Sequence, residues 1–483
     1  MVIPSIATAI VKGGEVAFQA VTGVGPMQSA VSGEAVSTSK GKGICSTSHR
    51  LTIHRSVPCE LALPSATRQS IYLFWHVRPT SRLDDFFPRF TKPMTSSRPA
   101  PHAPTRAVKA PSPHDGEECI LVLQGGGALG AYQAGVFEAL SEVYREPTWV
   151  AGISIGSINA ALIAGNKAAS RMTRLREFWG LVSSANQPPA LATSVAFRET
   201  LNEASATNGM LFGVPGFFAP RFPPAPFQAQ GTLAAISYYN TAPLRQTLER
   251  LVDFDLINSG SVRLSVGAVN VRTGNFEYFD SAKQRIDVRH IMASGALPPG
   301  FPPVEIDGEY YWDGGLVSNT PLQYVLDQPG KRRRVVFQVD LFAATGALPT
   351  TLAEVTEREK DIRFSSRTRL NTTMELDRQV IAQAAQRLIA KLPAALRDDP
   401  DVRALSRLRS ESAVDVVHLI YRSKHYESQS KDYEFSRLSM QEHWSAGCAD
   451  MAHTLHDPRW THHKRTATGV HVFDLTSDSP TST

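Results

Sequence analysis

A serine between two glycines is the residue of this chain best suited to chemistry. Ser154 lies in the run Gly152-Ile153-Ser154-Ile155-Gly156. Such a frame can hold a serine on a sharp turn between a strand and a helix, with its hydroxyl projecting above a sheet. Gly152 and Gly156 leave room for that turn and for close packing of the helix. A hydroxyl held in this way can attack an acyl group once a base takes its proton, so the pattern indicates covalent acyl transfer.

The residues on either side of Ser154 predict the elements that this turn needs. Residues 148–153 are apolar and β-prone, which is typical of a buried parallel strand. Residues 155–164 are rich in alanine and aliphatic side chains and end at a glycine, which predicts a helix. The amino terminus of that helix favours negative charge that develops beside Ser154.

A glycine-rich loop upstream offers backbone donors for that charge. It follows an apolar run at 119–123 that predicts another strand, and it precedes a predicted helix from residue 131 to about 144. Successive glycines can turn backbone N–H groups inward around an anion. In acyl transfer these groups can form an oxyanion hole, which stabilises the tetrahedral intermediate. The glycines assigned to this role are Gly125, Gly126, Gly127 and Gly130.

The same loop also fits a dinucleotide-binding fingerprint, in the form Gly125-x-Gly127-x-x-Gly130. That fingerprint requires an acidic residue about twenty positions further on, at the end of the second strand. Here the second strand runs into Gly152-Ile153-Ser154 and offers no carboxylate. We therefore favour the oxyanion hole and expect no cofactor and no metal, with a dinucleotide-dependent enzyme as a weaker alternative.

The candidate base is Asp313, which precedes Gly314 and Gly315. Residues 305–312 predict two short strands around an Asp-Gly turn, and Pro321 predicts the first turn of a following helix. The two glycines allow a sharp bend, so that the carboxylate can point inward. A triad would require a histidine after Asp313. None of the eight histidines that follow lies in a context typical of a triad loop, and His418 in a strand-like run is predicted to be structural. A dyad of Ser154 and Asp313 therefore fits the sequence better.

These motifs, together with the run at 293–303, resemble the patatin-like phospholipase family over about residues 119–342. The resemblance implies Ser154 as nucleophile, Asp313 as base, and the amides of the Gly125–Gly127 loop as oxyanion donors. It implies hydrolysis of acyl esters of lipids and a three-layer α/β/α fold around a mostly parallel sheet. Many relatives carry a cation before the last glycine of the loop, where this chain has Leu129. Any head-group contact from that position is therefore not expected.

A carboxylate base limits the range of substrates. Aspartate has an ordinary pKa of about 3.9 and is a weak base at neutral pH. Apolar surroundings raise that pKa, and Leu129, Ile153 and Ile155 are placed to provide them. Because no histidine protonates a poor leaving group, esters and thioesters are expected substrates rather than peptides.

Composition divides the chain into three predicted regions. Residues 1–114 carry a net charge of +8, are rich in Ser, Thr, Pro and Gly and predict a disordered leader, whereas the rest of the chain totals −3. Translation that starts at Met94 would explain this leader. Residues 115–345 are predicted to form the catalytic domain, and residues 346–483 a helix-rich extension similar to that of a bacterial subset of the family. Within this extension two helices are expected, at about 434–446 and 447–456. Because the basic charge belongs to the leader, nucleic-acid binding is not expected.

The expected location is the cytoplasm, with any membrane contact peripheral. The four cysteines show neither a paired framework nor zinc spacing, no apolar run is long enough to cross a bilayer, and no secretory signal is recognised.

A phenylalanine-rich stretch at 212–227 is interpreted either as a lid or lipid-contacting loop, or as a loop folded on the core. Residues 352–392 are helix-prone, and their cations either meet anionic head groups or form a solvated face; these cations are Arg358, Lys360, Arg363, Arg367 and Arg369.

The favoured function is a serine esterase that acts on acyl lipids. The alternative from another class is a catalytically inactive protein of the same fold that binds lipid or serves as a scaffold. The sequence does not predict an oligomeric state.

Overall fold

The computed structural model describes residues 10–12, 15–17, 117–143, 146–184, 195–328, 332–366, 368–396, 398–406, 413–463 and 470–475. In the region of the predicted leader it describes one antiparallel hairpin, formed by β1 (Ile10–Lys12) and β2 (Glu15–Ala17). The prediction of disorder over the rest of residues 1–114, and the proposed start at Met94, lie outside the described residues.

Eleven further strands form a large sheet and a small two-stranded ribbon within the described residues. They are β3 (Glu118–Leu123), β4 (Trp149–Gly152), β5 (Ala219–Pro220), β6 (Tyr239–Asn240), β7 (Arg263–Asn270), β8 (Phe276–Asp280), β9 (Val304–Ile306), β10 (Glu309–Asp313), β11 (Arg334–Asp340), β12 (Val414–Ile420) and β13 (Val470–Asp474).

Thirteen α-helices surround these strands in the described part of the chain. They are α1 (Gly130–Val143), α2 (Ile155–Ala164), α3 (Ala168–Val182), α4 (Val195–Phe212), α5 (Ala242–Leu251), α6 (Phe254–Asn258), α7 (Val288–Ser294), α8 (Leu322–Asp327), α9 (Leu352–Phe364), α10 (Thr368–Ile389), α11 (Pro400–Ser406), α12 (Arg437–His456) and α13 (Pro458–Thr461). None of these helices is long and apolar enough to cross a membrane.

The large sheet is mostly parallel, as predicted. Strands β13, β12, β11, β3, β4 and β7 are neighbours in that order and all run parallel. Strands β8 and β10 each pair antiparallel with β7, and β9 pairs antiparallel with β10. Alternate residues of the central strand β3 serve opposite faces of the sheet. Leu121 and Leu123 join the larger apolar core, and Ile120 and Val122 join a smaller one that includes α8. Helices on both faces therefore give the predicted three layers.

The ends of two strands meet beside β7, and this meeting point defines the site. Strand β4 ends at Gly152, opposite Val266 of β7. Strand β10 runs the other way and ends at Asp313, opposite Ala268. Since β8 occupies the other edge of β7 over the same residues, β4 and β10 share one edge and approach each other end to end. Residues that follow β4 and residues at the end of β10 are thereby brought close together.

The extension completes the sheet rather than standing apart from it. Strand β12 pairs with β11 along its full length, and β13 pairs with β12. The two helices predicted near 434–446 and 447–456 form the single helix α12, so that boundary was wrong. The helix continues through Gly447, where α12 packs closely on α1. A Cβ at this position would overlap the carbonyl oxygen of Tyr132 in α1, so the contact requires a glycine.

The helix-prone stretch 352–392 is interrupted. It forms α9 and α10, and α9 ends at Phe364 with Ser365 and Ser366 beyond it. This break places Phe364 against the site described next.

Candidate active site

Ser154 lies on a strained turn between β4 and α2. Its backbone has φ 52° and ψ −122°, a conformation that is rare for a residue with a side chain. Its amide donates to the backbone oxygen of Ser294 at 3.1 Å. Side chains at the flanking glycines would not fit: a Cβ at Gly152 would overlap the Gly156 carbonyl, and a Cβ at Gly156 would overlap Leu123. The glycines are therefore required by close backbone packing, as predicted.

Asp313 is buried and faces this serine. Its residue is only 2% exposed, and one carboxylate oxygen, Oδ1, accepts a hydrogen bond from the Gly315 amide at 2.7 Å. Ser154 lines the same cavity as Asp313, and its side chain lowers the pKa of this carboxyl group. The two residues are 159 positions apart in the chain and are joined by the end-to-end approach of β4 and β10.

Burial raises the pKa of Asp313 from 3.8 to about 6. The Ser154 side chain and the hydrogen bond from the Gly315 amide favour the charged form and limit this rise. The direction agrees with the one expected from the apolar neighbours. At neutral pH the carboxylate is therefore mainly ionised, yet it is a stronger base than an exposed aspartate.

The four glycines assigned to the oxyanion hole do not occupy equivalent positions. The Gly125 amide donates to the Asn319 backbone oxygen at 3.1 Å, and the Gly130 amide donates within the turn that opens α1. Among the described residues, the amides of Gly126 and Gly127 donate to no protein acceptor. Both residues line the cavity that contains Ser154 and Asp313, so these two are the better candidates for oxyanion donors.

The cavity around Ser154 has a volume of about 90 Å³ and a mainly apolar wall. Ile155 and Ile158 of α2 line it near the serine. Six phenylalanines from distant parts of the chain form much of the remaining wall: Phe217, Phe218, Phe301, Phe342, Phe364 and Phe435. Such a wall suits a hydrocarbon chain beside the nucleophile.

Two polar side chains that the sequence analysis missed hold the loops around the site. Gln124 Oε1 accepts from the Leu341 and Phe342 amides at 2.6 and 3.0 Å, and its Nε2 donates to Thr320 Oγ1 at 2.9 Å. Asn319 Nδ2 donates to the Gly125 carbonyl at 3.0 Å. Gln124 borders the glycine loop in sequence, but nothing in its local pattern reveals partners 196 to 218 positions away.

The extension also contributes to the site through Asp432. The Asp432 carbonyl accepts from the Ala128 amide at 2.7 Å and lies where a Cβ of Gly127 would be. The Asp432 carboxylate forms an ion pair with buried Lys360 of α9. Lys431, also buried, pairs with Glu357 and with Asp361 of α9, each at 2.8 Å. Helix α9 therefore fixes the loop that supports the glycine turn, a role for which we recognise no sequence signal.

Several other sequence predictions are resolved by these contacts. His418 forms a hydrogen-bonded pair with Asp340 and does not line the cavity, which agrees with a structural role. Leu129 is fully buried in the core.

The cations of the stretch 352–392 do not form one exposed face. Lys360 is buried in the ion pair described above, so its assignment to an exposed face was wrong. Arg358 donates to the Ala343 carbonyl at 3.0 Å. Arg363 stays exposed, Arg367 lies outside the described residues, and the side chain of Arg369 is not described.

The phenylalanine-rich stretch 212–227 combines both of its interpretations. Phe217 and Phe218 are buried and line the cavity. Phe222 is 95% exposed and Phe227 is 78% exposed. One part of the stretch therefore packs on the core, and another part presents large apolar side chains to the surroundings.

Two family models match this chain. Residues 121–326 match the family model described as patatin-like phospholipase, and residues 362–467 match a second model described as patatin phospholipase. The chain belongs to the patatin-like phospholipase family.

Individual relatives are distant. The chain is 26% identical over 220 residues to the cGAMP-activated phospholipase of Vibrio cholerae serotype O1, and this match covers 42% of the chain and 55% of that relative. Among solved structures, VipD from Legionella pneumophila is 14% identical with a TM-score of 0.29, covering 70% of this chain and 66% of VipD. ExoU from Pseudomonas aeruginosa, in complex with SpcU, is 14% identical with a TM-score of 0.24, covering 60% of this chain and 59% of the other.

Proposed function

We propose that this protein is a serine acyl hydrolase that cleaves fatty-acyl ester bonds of lipids. Ser154 is the nucleophile and Asp313 the general base. The observation that carries the proposal is that Ser154 and the buried Asp313 carboxylate line one cavity walled by phenylalanines, where the Ser154 side chain lowers the pKa of Asp313. Membership of the patatin-like phospholipase family supports the same class of reaction.

In the first half of the reaction, Ser154 Oγ forms a bond to the ester carbonyl carbon while Asp313 accepts the hydroxyl proton. The carbonyl oxygen becomes an oxyanion, and we assign its stabilisation to the amides of Gly126 and Gly127. The amino terminus of α2 adds a favourable electrostatic field at the same position. The bond from carbon to the leaving oxygen then breaks, and Asp313 returns the proton to the departing alcohol.

In the second half, water takes the place of the alcohol. Asp313 accepts a proton from that water as its oxygen attacks the acyl carbon of the Ser154 ester. Collapse of the second oxyanion releases the fatty acid and returns the proton to Ser154 Oγ. An alkoxide is a far better leaving group than an amide nitrogen when no imidazolium donates a proton, so esters are the proposed substrates.

The test is release of fatty acid from phospholipid vesicles, with products analysed by mass spectrometry. We expect turnover by the wild type and a loss of about 10³-fold or more for Ser154→Ala, since removal of a nucleophile costs at least this much in serine hydrolases. Ser170→Ala, at the start of α3 and away from the cavity, is the control and should retain activity. Vesicle binding without any product from the wild type would instead support the lipid-binding or scaffold alternative.

A further inference from the structure

A second, larger cavity adjoins the one around Ser154. Its volume is about 760 Å³, and it is bounded by the loop after β10, the start of α8 and the end of α9. Leu297, Gly315, Asn319 and Phe364 line both cavities. The two spaces are therefore neighbours that share one wall, and we call the larger one the polar groove.

The polar groove differs in chemistry from the cavity around the serine. Beyond the shared residues its lining combines the apolar residues Pro298, Leu316, Val317 and Ile362 with hydroxyl, amide and guanidinium side chains, and no carboxylate is among its described lining residues. The polar side chains are Ser318, Thr320, Gln323, Arg363, Ser365 and Ser366. An apolar space joined to a polar one matches the two ends of an amphiphile.

Arg363 is the charged side chain of this lining. It is 53% exposed and forms an ion pair with Glu359, one helical turn earlier, at 2.5 Å. A guanidinium has five N–H donors in a planar fork, so this pair leaves donors able to reach a second anion. Phosphate suits that fork because two of its oxygens can accept in parallel.

Phe364 forms the partition between the two spaces. Its carbonyl accepts from Gln124 Nε2 at 3.1 Å and from Asn319 Nδ2 at 2.9 Å, and its ring packs at 5.5 Å from the Phe342 ring. A side chain held in this way can keep hydrocarbon on one side and a hydrated group on the other. The scissile carbonyl would then lie where the two spaces meet, beside Gly315 and Asn319.

We propose that the polar groove binds the phosphate-bearing head group of the acyl ester while its acyl chain occupies the cavity around Ser154. Arg363 is the residue that contacts the phosphate. This inference rests on the proposed function and adds the orientation and class of the substrate.

The experiment compares two dihexanoyl lipids used below their critical micelle concentrations, so that membrane binding makes no contribution. One is phosphatidylglycerol and the other is diacylglycerol, which lacks phosphate. For Arg363→Ala we expect the ratio of kcat/KM for phosphatidylglycerol to that for diacylglycerol to fall about fivefold to tenfold, mainly through KM, because a charged hydrogen bond at a half-exposed site is lost. Arg363→Lys should restore part of the ratio.

Arg245→Ala is a matched control. Arg245 is also 53% exposed and also pairs with a glutamate four residues away, Glu249, at 2.9 Å, but it does not line the groove. The ratio should stay at the wild-type value in this variant. An unchanged ratio for Arg363→Ala, or an equal fall for Arg245→Ala, would overturn the assignment.

Binding separates this inference from the proposed function. In a Ser154→Ala background, which cannot turn over, calorimetry with dihexanoyl phosphatidylglycerol should show a Kd about fivefold to tenfold weaker after Arg363→Ala and unchanged after Arg245→Ala. Wild type that hydrolyses neither lipid would contradict the proposed function. Equal affinity with and without Arg363 would contradict the head-group site.

Discussion

At the scale of single residues, Asp313 has to satisfy two opposed demands. As the proposed base it needs a pKa close to the working pH, whereas its burial makes the charged form costly in the folded protein. The pKa of about 6 results from that burial, which raises it, and from the Ser154 side chain and the Gly315 amide, which lower it. Both the rate and the stability of the protein should therefore depend on pH through this one group.

The pH dependence of the rate follows from the base being active only when ionised. We expect kcat/KM for a soluble ester to rise with pH through about 6, with a slope of one proton, and to be level above about pH 7. A stopped assay at pH values from 4.5 to 8 would measure kcat/KM, with an ester whose leaving group does not titrate between these values. Full activity at pH 4.5 would show that Asp313 does not act as this base.

Ionisation of Asp313 should raise the rate, but it should lower the free energy of unfolding. The pKa of Asp313 is raised in the folded state above its ordinary 3.8, so the protein is destabilised as pH rises through about 6 and the carboxylate ionises. Asp313→Asn removes this cost and should raise the free energy of unfolding at pH 8 by up to about 3 kcal/mol, since each pKa unit is worth about 1.4 kcal/mol. The gain should shrink as pH falls toward 4.

Urea unfolding of wild type and Asp313→Asn at pH 8, 6 and 4 measures this difference. The same variant should lose activity, which is the expected exchange between stability and function at a catalytic site. A variant that is less stable than wild type at pH 8 would contradict the account of the buried charge.

The proposed reacting residues lie in motifs that the sequence reveals, whereas the residues that support them do not. Ser154 and Asp313 lie in short motifs whose glycines are set by local backbone packing. Asn319 and Gln124 act through partners far away in the chain, so their roles depend on the completed fold. For the same reason the sequence could not distinguish Gly126 and Gly127 from glycines whose amides donate elsewhere.

At the scale of elements, the glycine turn before α1 depends on a loop from the extension. The Asp432 carbonyl holds the Ala128 amide and fills the space beside Gly127. Because Gly127 and its neighbour are the proposed oxyanion donors, displacement of this loop should affect the rate more than the binding of substrate.

Gly127→Ala tests that dependence. A Cβ there would overlap the Asp432 oxygen, and φ is +55°, which disfavours any side chain. We expect kcat to fall by about 10² or more, as for loss of one oxyanion donor, with a smaller change in KM. Steady-state kinetics with a soluble ester, together with circular dichroism to verify folding, measures the effect.

Gly274→Ala provides the matched control. Gly274 has φ +71°, so it carries the same backbone strain, but nothing lies within 4 Å of its added Cβ. It should lose about 1–2 kcal/mol of stability and keep its kcat. Equal loss of kcat in both variants would mean that backbone strain, rather than the Asp432 contact, is responsible.

Element boundaries were predicted well where the apolar pattern is unbroken. Strands β3 and β4 and helix α2 lie within one residue of their predicted ranges. The helix α12 was predicted as two because Gly447 resembles a stop signal, whereas packing against α1 requires a glycine there. Tertiary contact, not local propensity, decides such a position.

At the scale of the whole molecule, the cavity around Ser154 is assembled from both halves of the chain. Residues 121–326 and 362–467 match separate family models, yet Phe364, Asp432 and Phe435 line the same cavity as Ser154. Strands β12 and β13 extend the sheet that carries the serine. The division of the chain at residue 345 stays a prediction. It was based on sequence composition, which cannot reveal that strands on either side of this residue pair in one sheet.

The exposed phenylalanines favour contact with a lipid surface. Phe222 and Phe227 follow cavity-lining residues in the chain, and no acidic residue occurs from position 204 to position 248. The stretch therefore offers apolar side chains without a carboxylate that anionic head groups would repel. We propose that residues 212–227 contact the membrane while the lipid enters the cavity.

Phe222→Ser and Phe227→Ser should each weaken binding to phosphatidylglycerol vesicles about tenfold, because partial burial of a phenylalanine is worth roughly 1.5 kcal/mol or more. Turnover of a monomeric dihexanoyl lipid should stay the same. Val472→Ser, an exposed apolar position on the edge strand β13, is the control and should bind as wild type does. Vesicle sedimentation that is unaffected by both phenylalanine changes would rule out this surface.

The most direct test of the dyad is covalent labelling with a fluorophosphonate, followed by mass spectrometry of the peptides. We expect one adduct, on Ser154, that disappears in Ser154→Ala and forms at least about 10²-fold more slowly in Asp313→Asn, because the serine then lacks its base. An adduct on another residue, no adduct on folded wild type, or labelling of Asp313→Asn at the wild-type rate would contradict a Ser154 nucleophile activated by Asp313.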